Sequence, residues 1–386
     1  MKIAVASLGD PCSIETWSGI PASIISGLRK KGHEIKPINL IRPAEPWHYS
    51  WLRRYYHRTH HKWFMASVEA EILKAISAQL DLEVNRIKPA AVLVIHGDWL
   101  AYATFDYPAF IIHDTTFASI VNYYSSFTNL SDRSLMMGNQ MYQKALNKSV
   151  AAIFSARWAS DSAVTHYRLP ESKVFTIPFG ANIFQTPTDN EVNGWIRSRS
   201  DGDVCNFVFI GTQWDRKGGP DTLRFVAALD KLGIKCRLTI VGCDPIIPLQ
   251  LQKIVELAGF INKSERSENA RLHRILRESH ALIVLSKAEC YGCVYCEANA
   301  YGLPALGRDT GGVSEIIRDG VNGLLLTSAE TIESFAERWS VIWRDRTAYT
   351  NLAANAYQEF KHRLNYDVFT DKLEDVMRTS LGNHSR

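Results

Sequence analysis

The stretch that most constrains the fold is residues 281–317, ALIVLSKAECYGCVYCEANAYGLPALGRDTGGVSEII. It opens with a short, continuous apolar run, 281–285, the pattern of a strand buried on both faces. A loop follows, carrying Glu289 and the small turn Cys290-Tyr291-Gly292-Cys293. The spacing predicts a helix over 294–301, with Glu297 in its first turn and Gly302-Leu303-Pro304 ending it. A second short strand, 305–307, runs through Asp309-Thr310-Gly311-Gly312 into another helix start. Two strand–loop–helix units in succession mark a parallel α/β sheet, in which ligands sit outside the carboxyl ends of the strands.

Glu289 and Glu297 are separated by seven residues, one on the loop and one a turn into the helix. Carboxylates only accept hydrogen bonds, so two in one crevice suit a polyhydroxylated ligand. Gly292 permits close backbone approach, and the N–H groups of Cys293 and Val294 at the helix start form an anion site. From these residues alone a plainer reading stays open, with Glu297 complementing its helix terminus and Glu289 solvated. The continuation into Gly-Leu-Pro and Asp-Thr-Gly-Gly-Val-Ser-Glu shifts the balance toward a ligand.

This run resembles the E-x7-E region of retaining glycosyltransferases of family 4, whose GT-B fold has two Rossmann-like domains facing an interdomain cleft. The resemblance implies that Glu289 contacts hydroxyls of a donor sugar and Glu297 holds the ribose of its nucleotide. It likewise implies that the backbone of Tyr291, Gly292, Cys293 and Val294 meets the sugar and the diphosphate.

At 386 residues, the chain predicts two domains, and its net charge of +4 is too small to argue for nucleic acid. No apolar stretch approaches the roughly 18–20 residues needed to cross a bilayer. The opening MKIAVASLGD reads as a strand leading into a turn, not as a signal peptide, and a cytoplasmic protein is expected. Seven cysteines, an odd number, argue against a disulfide framework. Cys290, Cys293 and Cys296 have iron–sulfur spacing, but Ala300 stands where the next cysteine would be needed. They read as small apolar fillers, and no metal or other cofactor is expected.

A first Rossmann-like domain is expected over 1–185. Its first strand is followed by a loop containing Ser18 and Gly19 and a helix with Ile20, Ile24, Ile25 and Leu28 at helical spacing. No G-x-G-x-x-G follows that strand, which weighs against a dinucleotide oxidoreductase. In the resembling family the loop near Gly19 approaches donor and acceptor. Residues 47–64, WHYSWLRRYYHRTHHKWF, mix cations with aromatics. Packing of Trp51, Leu52, Tyr55 and Trp63 on the domain, lining for an acceptor and peripheral membrane contact all stay open, with metal or nucleic acid below them. A long amphipathic helix is expected over 67–87. Later strands lead to His96-Gly97-Asp98 and to His113-Asp114-Thr115-Thr116, just past strand carboxyl ends. His113 matches by position the family's histidine that hydrogen-bonds the donor sugar. Asp114 and His96 are further candidates.

The polar residues 185–202 carry the expected boundary, with a second domain over 203–367. Its first loop, Gly211-Thr212-Gln213-Trp214-Asp215-Arg216-Lys217-Gly218-Gly219, places adjacent cations beside glycines and a helix start, which suits a diphosphate. Lys217 matches the family's lysine that neutralises the leaving diphosphate. Many members have arginine where this chain has Thr212, and Arg216 is the candidate replacement. Loops at Gly242 and Phe260 match those flanking the nucleotide base. The single Asp-x-Asp, Asp201-Gly202-Asp203, precedes a strand and so lies at the wrong end of the sheet for a metal. A final helix over 368–381 is expected to cross back to the first domain.

The resemblance thus implies metal-independent, retaining transfer of a hexosyl unit from a UDP- or GDP-sugar to a hydroxyl acceptor, whether small molecule, glycan or lipid-linked glycan. No nucleic-acid partner is implied. Rival readings are a GT-B epimerase or phosphorylase and a non-catalytic sugar-nucleotide binder.

Overall fold

The computed structural model describes residues 1–183 and 185–384. The chain divides into two compact units, Met1–Pro178 with Phe369–Arg386, and Phe179–Val368. The division falls ahead of the polar stretch 185–202. That stretch contains a full helix, Asp189–Ser200, opened by a reciprocal capping box between Thr188 and Glu191.

The first unit holds six parallel strands: β1 (Lys2–Leu8), β2 (Glu34–Leu40), β3 (Ala91–Ile95), β4 (Ala109–His113), β5 (Ala151–Phe154) and β6 (Val174–Thr176). They lie in the order β2-β1-β3-β4-β5-β6. Every residue of β3 and β5 is buried, which is why their sequences are unbroken apolar runs. Helix Ile20–Lys30 buries Ile20, Ile24, Ile25 and Leu28 as their spacing requires. The last helix, Tyr366–His384, packs on it closely: a Cβ at Gly27 would lie 2.7 Å from Thr370 Cγ2. Lys31 pairs with Asp371 there, and His33 Nε2 lies 2.5 Å from Glu374.

The second unit repeats the plan with β7 (Cys205–Ile210), β8 (Cys236–Val241), β9 (Val255–Gly259), β10 (Ala281–Val284), β11 (Ala305–Arg308) and β12 (Gly323–Leu326). The order β12-β11-β10-β7-β8-β9 puts β7 and β10 side by side in the middle. Chain progress reverses direction across that pair, so the loops leaving their carboxyl ends diverge and open a crevice between them. In the first unit the corresponding pair is β1 and β3.

Three expectations need correction. Residues 47–60 form a helix, Trp47–His60, but Trp51 and Tyr55 do not pack on the domain, and neither does Trp63 beyond it; all three are exposed. The helical period instead turns Tyr49, Leu52 and Tyr56 toward the core, with Phe64 joining them. The long helix begins at Ala70, not at 67. Glu69 before it is extended, and its buried carboxylate receives Arg133 at 2.8 and 2.7 Å. Finally, the helix after Glu289 spans Cys293–Ala300 and has no acidic residue in its first turn. Glu297 therefore sits a full turn inside, where a helix-terminus role is out of reach.

Candidate functional site

In the second unit the site grows from the loops after β7 and β10. The β7 loop folds back on itself through Lys217 N–H to Gln213 C=O, 2.8 Å, and Trp214 packs edge-on against Phe209. Gly218 follows with φ of +75°, and a Cβ there would lie 1.9 Å from the Leu285 carbonyl oxygen. Glycine is thus what lets the β7 loop touch the end of β10. Lys287 N–H donates to Arg216 C=O at 2.8 Å, and Arg216 Nη1 donates to Ala288 C=O at 2.7 Å, so the loops are joined at backbone level.

That junction brings Lys217, Arg216 and Glu289 together. Lys217 Nζ donates to Glu289 Oε2, Ser286 Oγ donates to the same oxygen at 3.1 Å, and Arg216 Nη1 lies 3.5 Å away. Glu289 is buried, and burial alone would raise its carboxyl pKa. Lys217, Arg216 and Ser286 outweigh burial and hold it below the ordinary range. The carboxylate is charged and fixed, and two cations stand beside it at the carboxyl edge of the sheet.

Glu297 is buried one turn along its helix and accepts from Lys263 Nζ at 2.7 Å. Lys263, on the loop after β9, went unnoticed in the sequence, where nothing distinguishes it from other loop cations. Gly292 opens the helix at φ of +97°; a Cβ would meet the Tyr295 ring at 2.5 Å, and no side chain caps the helix start where Cys293 and Val294 lie. Tyr291 is held from below, its hydroxyl donating to Phe179 C=O at 2.7 Å. Cys296 Sγ donates to the same carbonyl at 3.6 Å; burial first of all pushes its thiol up to about 12, so it serves as a small neutral donor. Gly242, at φ of +99°, lies against Gly211, whose oxygen would be 2.8 Å from an added Cβ. Phe260 projects into solvent nearby in sequence to β9. Asp203 instead lines a groove with Arg199, Arg277 and His280 at the opposite edge of the sheet.

The first unit brings His96, His113 and Asp98 together at the ends of β3 and β4. The two imidazole rings are 4.8 Å apart. His113 Nδ1 accepts two backbone N–H groups, from Asp114 at 3.0 Å and Thr115 at 2.9 Å. That fixes the tautomer with its proton on Nε2. Asp114 Oδ1 lies 3.2 Å from the same Nδ1, an ion pair only if that nitrogen is protonated. The two backbone donors make the accepting state the better description. The loop beyond is tied down by Thr116, which caps the next turn with Ser119 and bonds Ser162 Oγ at 2.6 Å.

His96 has φ of +69°, and its buried Nε2 finds no hydrogen-bond partner among the described residues. Burial, then the neighbouring His113, depresses its pKa to about 3. Burial pushes the Asp98 carboxyl up to about 6, against the pull of His113 and Arg42. The loop holding Gly19 adds Trp17, whose ring meets His96 edge-on at 4.4 Å and lies 6.0 Å from His113. Trp17 and Ser18 both take left-handed backbone conformations, φ 44° and 58°, directly before Gly19 at 81°. Trp17 escaped sequence reasoning, because backbone handedness at a non-glycine residue has no composition signal, and Asp98 was read only as part of its loop, because its burial appears only after folding.

Comparison with known proteins follows this geometry. Residues 198–359, all within the second unit, match the family model of glycosyl transferases group 1. A D-inositol 3-phosphate glycosyltransferase from Nocardia farcinica (strain IFM 10152) is 33% identical over 131 residues, which is 32% of this chain and 29% of that protein. The match thus spans less than a third of that relative's length. The structure of a sucrose-phosphate synthase from Thermosynechococcus elongatus is similar with a TM-score of 0.71 at 15% identity, covering 99% of this chain and 100% of that one. Anabaena HepE in complex with UDP and glucose gives a TM-score of 0.65 at 15% identity, covering 98% and 99%. The fold is GT-B: two α/β units, each built on a parallel six-stranded sheet.

Proposed function

We propose that this protein is a retaining glycosyltransferase that moves a hexosyl unit from a UDP- or GDP-sugar to a hydroxyl acceptor without a metal ion. The observation that carries the reading is the meeting of Lys217 and Arg216 with Glu289 at the β7/β10 edge. Breaking the bond between the anomeric carbon and the diphosphate leaves negative charge on phosphate oxygens. Two fixed cations at the carboxyl ends of β7 and β10 are the means to stabilise that charge as it develops. Glu289 beside them accepts hydrogen bonds from donor-sugar hydroxyls, and Glu297 from the ribose. The crevice position, the family match over residues 198–359 and the UDP and glucose named for HepE all support this assignment.

The first unit's part in the reading is His113. With Nδ1 occupied by backbone donors, its Nε2–H serves as a hydrogen-bond donor to a sugar hydroxyl, not as a base. No side chain is assigned as nucleophile. In a front-face path the acceptor oxygen bonds the anomeric carbon on the side the diphosphate leaves, and its proton passes to the departing phosphate. Configuration is then retained.

The test is nucleotide diphosphate release from a panel of UDP-, GDP- and ADP-hexoses with and without a hydroxyl acceptor, in EDTA. Acceptor-dependent release from a UDP- or GDP-hexose, with the donor's anomeric configuration in the product, is the expected result. Inversion would overturn retention, and loss of activity in EDTA would overturn metal independence. Release that needs no acceptor and gives no glycoside would overturn transfer. Donor binding has its own signature, because a ligand at 100 times its Kd adds about 2.7 kcal/mol to thermal stability.

A further inference from the structure

We propose that the exposed face of helix Trp47–His60, continued by Trp63, is a docking surface for an anionic lipid bilayer. The inference stands on the first unit alone and does not depend on the transfer reading. Residues 46–68 contain no aspartate or glutamate, while Arg53, Arg54, Arg58 and Lys62 supply positive charge. Trp47 is 83% exposed, Trp51 60%, Tyr55 42% and Trp63 58%. The first three recur every fourth residue, so they form one stripe along the helix. At 100° per residue Arg54 and Arg58 fall on the same stripe.

The helix is held from its other side. Tyr49 is buried and its hydroxyl donates to Glu71 Oε2 at 3.2 Å; Tyr56 stacks on the buried Phe64 at 5.9 Å. The exposed rings are therefore not needed to anchor the helix to its domain. Arg53 is paired with Glu45, and Lys62 with Asp132. Arg54 and Arg58, on the outer stripe, enter no ion pair among the described residues. A solvated face would carry charge without three large aromatics, and the arginines among them, with no acidic residue between 46 and 68, call for an anionic partner. Aromatic rings with arginines between them match the headgroup layer, where rings sit at the apolar boundary and guanidinium groups meet lipid phosphates. The helix is about 21 Å long, fit to lie in the interface, and no described helix is long and apolar enough to cross a membrane. Charge complementarity thus selects the anionic bilayer.

The test is co-sedimentation of the full chain with phosphatidylcholine vesicles, with and without phosphatidylglycerol. Wild type should bind the anionic vesicles, be released by salt and ignore pure phosphatidylcholine. Arg54→Ala/Arg58→Ala should weaken binding about 25-fold, roughly fivefold for each charge. Trp47→Ala/Trp51→Ala should weaken it at low salt too and reduce the blue shift of tryptophan emission on binding to what Trp63 contributes. Both doubles substitute exposed helix positions with a strong helix former, and far-UV circular dichroism confirms the fold. Equal binding to both vesicle types overturns the proposal, as does unchanged binding by either double variant. A wild-type dimer in sedimentation that Trp47→Ala/Trp51→Ala dissolves, with no vesicle binding by either protein, assigns the face to a second copy instead.

Discussion

Each unit places a carboxyl group just past the carboxyl end of a buried parallel strand, and the two are treated in opposite ways. Glu289, after β10, is held below its ordinary pKa by Lys217 and Arg216 against its own burial. Asp98, after β3, has imidazoles for neighbours and is pushed by burial up to about 6. One edge keeps a cluster whose charge is fixed by ion pairing; the other keeps groups whose titration burial displaces. The backbones differ too. Every non-glycine residue with positive φ among the described residues lies in the first unit, Trp17, Ser18 and His96 among them. The second unit meets its left-handed turns with glycine, as at Gly218, Gly242 and Gly292. One fold plan thus yields a relaxed edge with paired, fixed charge and a strained edge whose ionisable groups are shifted by burial.

The largest expected effect breaks the charged edge. Lys217→Ala should lower transfer by on the order of a thousandfold, as removal of a preorganised charge-stabilising group does. It should also destabilise the protein by about 3–5 kcal/mol, because the buried Glu289 loses the lysine that donates to it. Adding Glu289→Gln to that variant removes the buried charge. The double variant should regain most of the stability and none of the activity, read by urea unfolding and product assay. An active double variant would mean the cluster is structural. Wild-type Glu289 contributes stability above its unfolded value of 4.5, and that contribution is lost as pH falls through its lower folded value.

The first unit's edge responds to pH with opposite signs. Asp98 binds its proton more tightly folded, near 6, than unfolded, near 3.8. It therefore opposes folding by on the order of 3 kcal/mol above pH 6 and relents as pH falls toward 4. His96 takes a proton near 6.5 when unfolded but only near 3 when folded, so it withdraws stability as pH falls below 6.5. Between pH 6 and 4 the two slopes, each about 1.4 kcal/mol per pH unit, cancel. Asp98→Asn should expose the histidine slope, with stability falling toward acid; His96→Gln should expose the reverse. Urea midpoints across that window measure both, and parallel profiles for the two variants would refute the contrast between the edges.

Legibility followed the same division. In the second unit Glu289, Glu297 and Lys217 were singled out through a resemblance, since spacing alone left a plainer reading open, and the contact of Lys217 with Glu289 is what folding adds. Two features there were not legible: Lys263, a loop lysine that finds Glu297 only after folding, and the start of the helix at Cys293, which sets Glu297 a turn inside. In the first unit His113 was readable only through its place after an apolar strand. Trp17 was invisible, since nothing in a tryptophan announces a left-handed backbone. Asp98 looked like any loop aspartate until burial raised its pKa. The stripe of Trp47, Trp51 and Tyr55 shows the same limit. Period alone says which residues share a face, but which face meets the core was settled by Tyr49, Tyr56 and Phe64.

The smallest effect probes why the first unit tolerates strain where the second uses glycine. Ser18 is exposed at φ 58°, ψ 23°, a conformation that disfavours a side chain by about 1–2 kcal/mol. Ser18→Gly removes that strain without removing packing, though glycine gives part of the gain back by loosening the unfolded chain. A net stabilisation of about 0.5 kcal/mol is expected, a rise in Tm of about 1–2 °C. The informative reading is turnover. Ser18 follows Trp17, whose ring is set against His96 and His113, so a loosened backbone at Ser18 frees that ring. If the strain serves the site, Ser18→Gly raises Tm while KM for the acceptor increases a fewfold and kcat changes less. If Tm rises and both constants stay put, the left-handed pair does no more than lead the chain into helix Ile20–Lys30, and the contrast between the two edges reduces to electrostatics.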